Sequence, residues 1–203
     1  MADVSEIVLE PPEGVKEILL QSCCAPCSGA VVECLLNNGI APTVFYYNPN
    51  IWPLEEYEKR KREEIRFCKD MGVKFIDGDY DHENWRELVR GYEDLPERGE
   101  RCLICFKHRL LVAAKKTLEL GLKVFATTMA TSRWKSLEQV NDAGHYAETQ
   151  VGGVIFWDKD WRKGGLTERR SQICREKNFY MQKYCGCEMS FRNSEERLRK
   201  YSV

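Results

Sequence analysis

Apolar runs of strand length alternate with amphipathic stretches along this chain. Glu17 to Gln21 (EILLQ) predicts a strand, and Ser28 to Asn38 a helix closed by Gly39. Thr43 to Tyr47 (TVFYY) predicts a second strand, Leu54 to Met71 a charged helix ended by Gly72, and Val73 to Ile76 a short third strand. Glu83 to Tyr92 and Cys102 to Leu120 read as helices, the latter closed by Gly121. Lys123 to Thr127 predicts a fourth strand, Ser136 to Thr149 a helix, and Val154 to Trp157 a fifth strand. That rhythm predicts an α/β fold of three layers, a parallel sheet with helices on both faces. Such sheets bind ligands beyond the carboxyl ends of their strands, where the strand order reverses. Cys23 directly follows the first strand and Met129 to Lys135 the fourth.

Length and composition fit one domain over residues 1–203: 203 residues at 43% hydrophobic content bury one sizeable core. Repeats and low-complexity linkers are missing, and no apolar run approaches the ~18 residues of a membrane span. Met1 to Gly14 carries Asp3, Glu6, Glu10 and Glu13 and does not read as a secretory signal. Residues 1–14 are expected to be flexible and the protein cytoplasmic. The net charge of −1 conceals an asymmetry. From Trp161 to Val203 there are eleven Lys/Arg against five Asp/Glu, or +6, which leaves −7 for the rest. A basic C-terminal segment, 161–203, packed on an acidic domain suits a polyanionic partner, and Arg169, Arg170, Arg175 and Lys177 are its candidate phosphate contacts. A solvated helix surface is the plainer explanation.

The chemistry is concentrated in cysteine. Ten cysteines in a reducing compartment point to metal or redox catalysis rather than structural disulfides. Ser22-Cys23-Cys24-Ala25-Pro26-Cys27 opens a helix, where thiolates are favoured. Arg101-Cys102-Leu103-Ile104-Cys105-Phe106 opens another, and Tyr184-Cys185-Gly186-Cys187 closes the basic stretch. Four thiolates suit an iron–sulfur cluster or zinc. Adjacent cysteines make a poor zinc knuckle, which favours the cluster and keeps zinc or thiol chemistry alone as alternatives. Cys27 is then a surplus thiol, a ligand for a second metal, the resolving partner of a disulfide, or a packing residue. The Cys185-x-Cys187 pair can close a strained, labile disulfide or remain as two thiols. Cys34, Cys68 and Cys174 read as small buried apolar residues. Thr127 to Asn141 places Arg133 and Lys135 beside a helix start, a candidate phosphate site, with capping by Ser132 or Ser136 as the alternative. Asp142 is a candidate metal ligand or proton donor. Trp52, Trp134, Trp157 and Trp161 are candidates for stacking on bases, with core packing the default for each.

Together these motifs resemble the cobalamin-independent epoxyqueuosine reductases of the QueH type. The resemblance rests on Cys-Cys-Ala-Pro-Cys at 23–27, Arg101-Cys-x-x-Cys-Phe with Arg109-Leu110, Lys135-Ser136, and Ile173-Cys-Arg-Glu-Lys-Asn-Phe-Tyr through Tyr184-Cys-Gly-Cys187. It spans roughly residues 17–188 and departs where Leu137 follows Ser136 in place of the family's frequent proline. It implies a nucleotide-hydrolase-like α/β fold. It also implies reduction of the epoxide of epoxyqueuosine, at the wobble position of tRNA, to the alkene of queuosine. By the same resemblance Cys23, Cys24, Cys102 and Cys105 hold a 4Fe–4S cluster, and Cys185 and Cys187 form a redox-active disulfide. An additional mononuclear iron near Cys27 and an external electron donor complete the expectation. A thioredoxin-like oxidoreductase on Cys24-Ala-Pro-Cys27 leaves Cys102 and Cys105 idle. An ATP-dependent tRNA-modifying enzyme wants a Ser-Gly-Gly phosphate loop where the cysteines stand. A zinc-stabilised RNA-binding module is the non-enzymatic alternative.

Overall fold

In the computed structural model the described residues are 7–132 and 134–201, with no account of side chains beyond 194. Five strands, β1 (Glu17–Ser22), β2 (Ala41–Tyr46), β3 (Lys74–Asp77), β4 (Val124–Thr127) and β5 (Ile155–Phe156), form one sheet in the order β3-β2-β1-β4-β5. Every pairing is parallel. The helices are α1 (Ala25–Asn37), α2 (Leu54–Met71), α3 (His82–Leu88), α4 (Glu100–Glu119), α5 (Leu137–Val151), α6 (Leu166–Glu176) and α7 (Glu188–Tyr201). Helix α1 packs with α2 and α6, and α4 packs with α5, so helices cover the sheet in the expected three layers.

The central strands are buried on both faces and read as continuous apolar runs. Ile18, Leu19 and Leu20 of β1 and Val124, Phe125 and Ala126 of β4 are fully buried. The chain leaves β1 toward β2 on one side and crosses to β4 on the other, so the reversal of strand order falls between β1 and β4. The loops after those two strands therefore flank the crevice that parallel sheets offer to ligands.

Element boundaries differ from expectation chiefly at α1, which begins at Ala25 rather than Ser28. Pro26 sits in the first turn, where its missing N–H costs nothing. Cys27 is thereby in the first turn of the helix. Of the N-terminal stretch, residues 1–6 lie outside the described residues. Leu9 is buried, its N–H donating to Asn38 Oδ1 at 2.8 Å while Asn38 Nδ2 donates to the Ile7 carbonyl.

The C-terminal segment crosses α1 and α2 as a strap. Arg169 of α6 grips Glu33 of α1 through Nε and Nη2 at 2.7 and 2.8 Å. Tyr180 N–H donates to Glu63, Tyr180 O–H to Glu56 and Tyr184 O–H to the Trp52 carbonyl, and Trp52 N–H donates to the Gly186 carbonyl. At Gly29 α6 packs tightly on α1: a Cβ there would meet Ile173 Cγ2 at 2.9 Å.

Candidate metal and redox centre

The carboxyl ends of the central strands are laced together by buried amides and hydroxyls. Thr127 Oγ1 donates to Gln21 Oε1 at 2.7 Å, Gln21 Nε2 donates to the Tyr47 carbonyl, and Asn48 Nδ2 donates to the Ser22 carbonyl at 2.9 Å. Cys23 N–H donates to Thr128 Oγ1 at 3.1 Å, which ties the loop after β1 to the loop after β4. Below this loop lies a brace. Ser22 Oγ donates to Glu64 Oε1 at 2.8 Å, Ser22 and Ser28 hydroxyls meet at 2.6 Å, and Ser28 Oγ donates to the Cys24 carbonyl. Glu64 is fully buried, and burial raises its carboxyl to about 7 against the help of the two serines.

The thiols of the motifs fall into two groups. The sulfurs of Cys23, Cys24 and Cys27, all buried, lie within 4.8 Å of one another. Hydrogen bonds from Cys24 and Cys27 hold the Cys23 thiol well below its ordinary pKa, with the Lys135 charge assisting against burial. Cys24 is pushed well above by the same hydrogen bond to Cys23. Cys102, Cys105, Cys185 and Cys187 line a single cavity with Arg101, Arg109, Asn50 and Trp85. Burial raises Cys102 to about 11 and also raises Cys105, which Arg109 counters. All ten cysteines are free thiols. The structure thus brings Cys27 to Cys23 and Cys24, and Cys102 and Cys105 to the Cys185-x-Cys187 pair. Among the described residues, Cys23, Cys24 and Cys27 are the only trio of ligating atoms this close, so Cys102 and Cys105 do not join Cys23 and Cys24 at that range.

Gly186 permits the turn between the last two thiols. Its φ is +136°, and a Cβ would stand 3.2 Å from both Arg60 Nη1 and Ile51 Cγ1. Arg60 Nη1 also donates to the Cys185 carbonyl at 3.3 Å, while its Nε donates to Glu56.

The candidate phosphate contacts fall into different environments. Arg133 lies outside the described residues. Lys135 is buried at 7% exposure; burial works against its charge, but Cys185, Cys23 and Cys27 outweigh that and keep it protonated. Arg169 is taken up by Glu33 and Glu176. Arg170 is half-buried and donates from Nε to the Pro26 carbonyl at 2.7 Å. Arg175 is exposed, and Lys177 is 3.6 Å from Asp70. Ser136 caps α5 by accepting from Gln139 N–H, which is the plainer of the two readings of that serine. Asp142 is exposed on α5, with no ion pair to a described residue. Cys34, Cys68 and Cys174 are buried in the core, as are Trp157 and Trp161.

Sequence reasoning passed over Arg60, Glu64, Asn48 and Asn50. A signal for the first two is present: Tyr57, Arg60, Glu64 and Phe67 share the buried stripe of α2, and two charges on a core stripe mark a polar site beneath it.

A parallel α/β sheet with three buried thiols gathered at its switch point is the frame of an enzyme whose chemistry runs through cysteine. Comparison with known proteins makes this specific. A family model described as epoxyqueuosine reductase QueH matches residues 18–193. The chain is 47% identical over 188 residues to epoxyqueuosine reductase QueH of Histophilus somni, covering 93% of this chain and 77% of the relative. It is 48% identical to that of Haemophilus influenzae over the same shares. It is 32% identical to that of Thermotoga maritima, covering 91% of this chain and 95% of the relative. The chain belongs to the QueH family of epoxyqueuosine reductases, and it is an oxidoreductase. No described helix is long and apolar enough to cross a membrane.

Proposed function

We propose that this chain reduces the epoxide of epoxyqueuosine, in the anticodon of a tRNA, to the alkene of queuosine. The observation that carries the reading is the convergence of the Cys102/Cys105 and Cys185/Cys187 pairs on one cavity, beside the Cys23–Cys24–Cys27 cluster. The donor set fits a sulfur-bound metal group, being all thiol, mostly buried, and flanked by cations. Cys23, Cys24, Cys102 and Cys105 would hold a 4Fe–4S cluster, with Cys27 free for an additional mononuclear iron. When bound, such a group supplies single electrons and Lewis acidity.

The protein's own residues account for the overall balance. Removing the epoxide oxygen as water takes two electrons and two protons. The Cys185/Cys187 dithiol carries both, and its oxidation to a disulfide closes the balance: epoxide plus dithiol gives alkene, disulfide and water. An external electron donor returns the pair to the dithiol. Arg60 and Gly186 fix the backbone of that pair, and the brace of Glu64, Ser22 and Ser28 fixes the Cys23–Cys27 loop. Arg175 and Lys177 of the strap, with Arg133, are the proposed tRNA contacts, joined by Arg170 at its half-buried position. Asp142 stays a candidate proton donor only if tRNA covers it.

Anaerobic purification with iron and sulfide assay, followed by turnover of tRNA bearing epoxyqueuosine, tests the reading. A brown protein that forms queuosine is the expected result. A colourless zinc protein without turnover would sink it.

A further inference from the structure

Three cations buried around the thiols make no ion pair with a carboxylate among the described residues. Arg101 and Arg109 are each 2% exposed and Lys135 7%. Among the described residues, none of the three makes an ion pair with Asp or Glu, whereas the neighbouring Arg60 and Arg169 do. A buried charge is costly unless something opposite faces it. Arg101 Nη1 spends its donors on the carbonyls of Glu93 and Leu95 at 2.6 Å, yet its Nη2 has no partner. Arg109 Nη2 donates to Asn48 Oδ1 at 2.5 Å, yet its Nε has none. Asn50 Oδ1 is likewise unpartnered, and all three residues line the cavity of Cys102, Cys105, Cys185 and Cys187.

What shares the cavity with Arg101 and Arg109 is sulfur. Arg109 spans both thiol groups: it lines the cavity, and through Asn48 it reaches the Ser22 carbonyl immediately before Cys23. Burial this deep keeps a tRNA backbone phosphate from reaching either guanidinium. We propose that Arg109, with Arg101 and Lys135, is the fixed counter-charge of the thiol centre, a buried cationic seat that retains an anionic sulfur-ligated group and favours its reduced form. This rests on the reading that the thiols hold such a group. Arg109 is a positioning residue in this role, since it acts through the sulfurs.

The test separates charge from bracing. Glutamine at 109 keeps an N–H for Asn48 and loses the charge; lysine keeps the charge and loses the fork. Iron-loaded full-length wild type, Arg109→Gln, Arg109→Lys and Lys135→Met are compared by midpoint potential. The reduced full chains are titrated with cadmium, a thiolate-seeking probe followed by its sulfur charge-transfer absorption. Arg109→Gln and Lys135→Met should shift to more negative potential and bind cadmium about 10- to 100-fold more weakly, with Arg109→Lys closer to wild type. Equal potentials and affinities across the set would overturn the proposal, as would a Gln variant that outperforms the Lys variant. If Arg109→Gln does not fold, Lys135→Met decides alone. A wild type that binds neither iron nor cadmium refutes instead the sulfur-ligated centre itself.

Discussion

Replacing Glu64 by glutamine should stabilise the protein at neutral and alkaline pH and leave it unchanged in acid. The carboxyl is fully buried behind the Cys23–Cys27 loop, Oε1 accepts from Ser22, and Oε2 has no partner. Burial raises its pKa from an ordinary 4.5 to about 7. Between those values the native state binds more protons at this site than the unfolded chain, so stability falls as pH rises through the window. Above about 7 the native protein carries the full cost of a buried carboxylate, about 3 kcal/mol at ~1.36 kcal/mol for each tenfold in the equilibrium. Glutamine keeps the acceptor for Ser22 and has no charge to bury. Urea unfolding of the reduced, metal-free wild type and Glu64→Gln at pH 5, 6, 7 and 8 reads the difference. The gap should grow from under ~1 kcal/mol at pH 5 to about 3 kcal/mol at pH 8. Subtracting the two proteins cancels the titration of groups that do not interact with Glu64. Parallel stability curves would refute a carboxyl that ionises in the folded state at a cost.

Four further outcomes follow from particular residues. Cys185→Ala should abolish queuosine formation while iron and sulfide content stay at wild-type levels, measured on the same preparation. Gly186→Ala forces a side chain at φ +136° and within 3.2 Å of Arg60 Nη1, and should slow turnover about 10- to 100-fold in a single-turnover assay. Gly144→Ala would put a Cβ 2.2 Å from Phe156 Cδ1 and should cost about 1–3 kcal/mol by urea midpoint, because α5 must move off β5. Binding of tRNA should weaken steeply as salt rises, and Arg175→Ala should reduce the slope of log affinity against log salt by about one.

Much of the fold was legible because its central strands are buried on both faces and its helices end on glycine. Gly72 closes α2 in the left-handed conformation at φ +67°, and both ends of that helix fall where the pattern places them. Strand β5 was legible as apolar but shrinks to two residues, since only Ile155 and Phe156 pair with β4. The thiol motifs were legible as chemistry, and their position at the switch point followed from strand order. Their grouping was not. Cys27 joins Cys23 and Cys24 because Pro26 starts the helix early. That Cys102 and Cys105 share a cavity with Cys185 and Cys187 depends on the strap, whose path across α2 is set by Tyr180, Tyr184 and Arg60, single contacts that no periodicity records. Charge counting treated the basic segment as a surface, yet Arg169 is spent within the protein on Glu33.

That strap also sets an order of assembly. The residues that make the sheet, both helix-start cysteine motifs and Lys135 leave the ribosome before the Cys185-Gly-Cys187 turn does. The Cys102 and Cys105 thiols are therefore made well before the turn that shares their cavity. Trp52 waits for a carbonyl supplied by Gly186. Packing of the sheet and closure of the strap are thus separable events in the life of the chain, and it is closure that completes the cavity around Cys102 and Cys105.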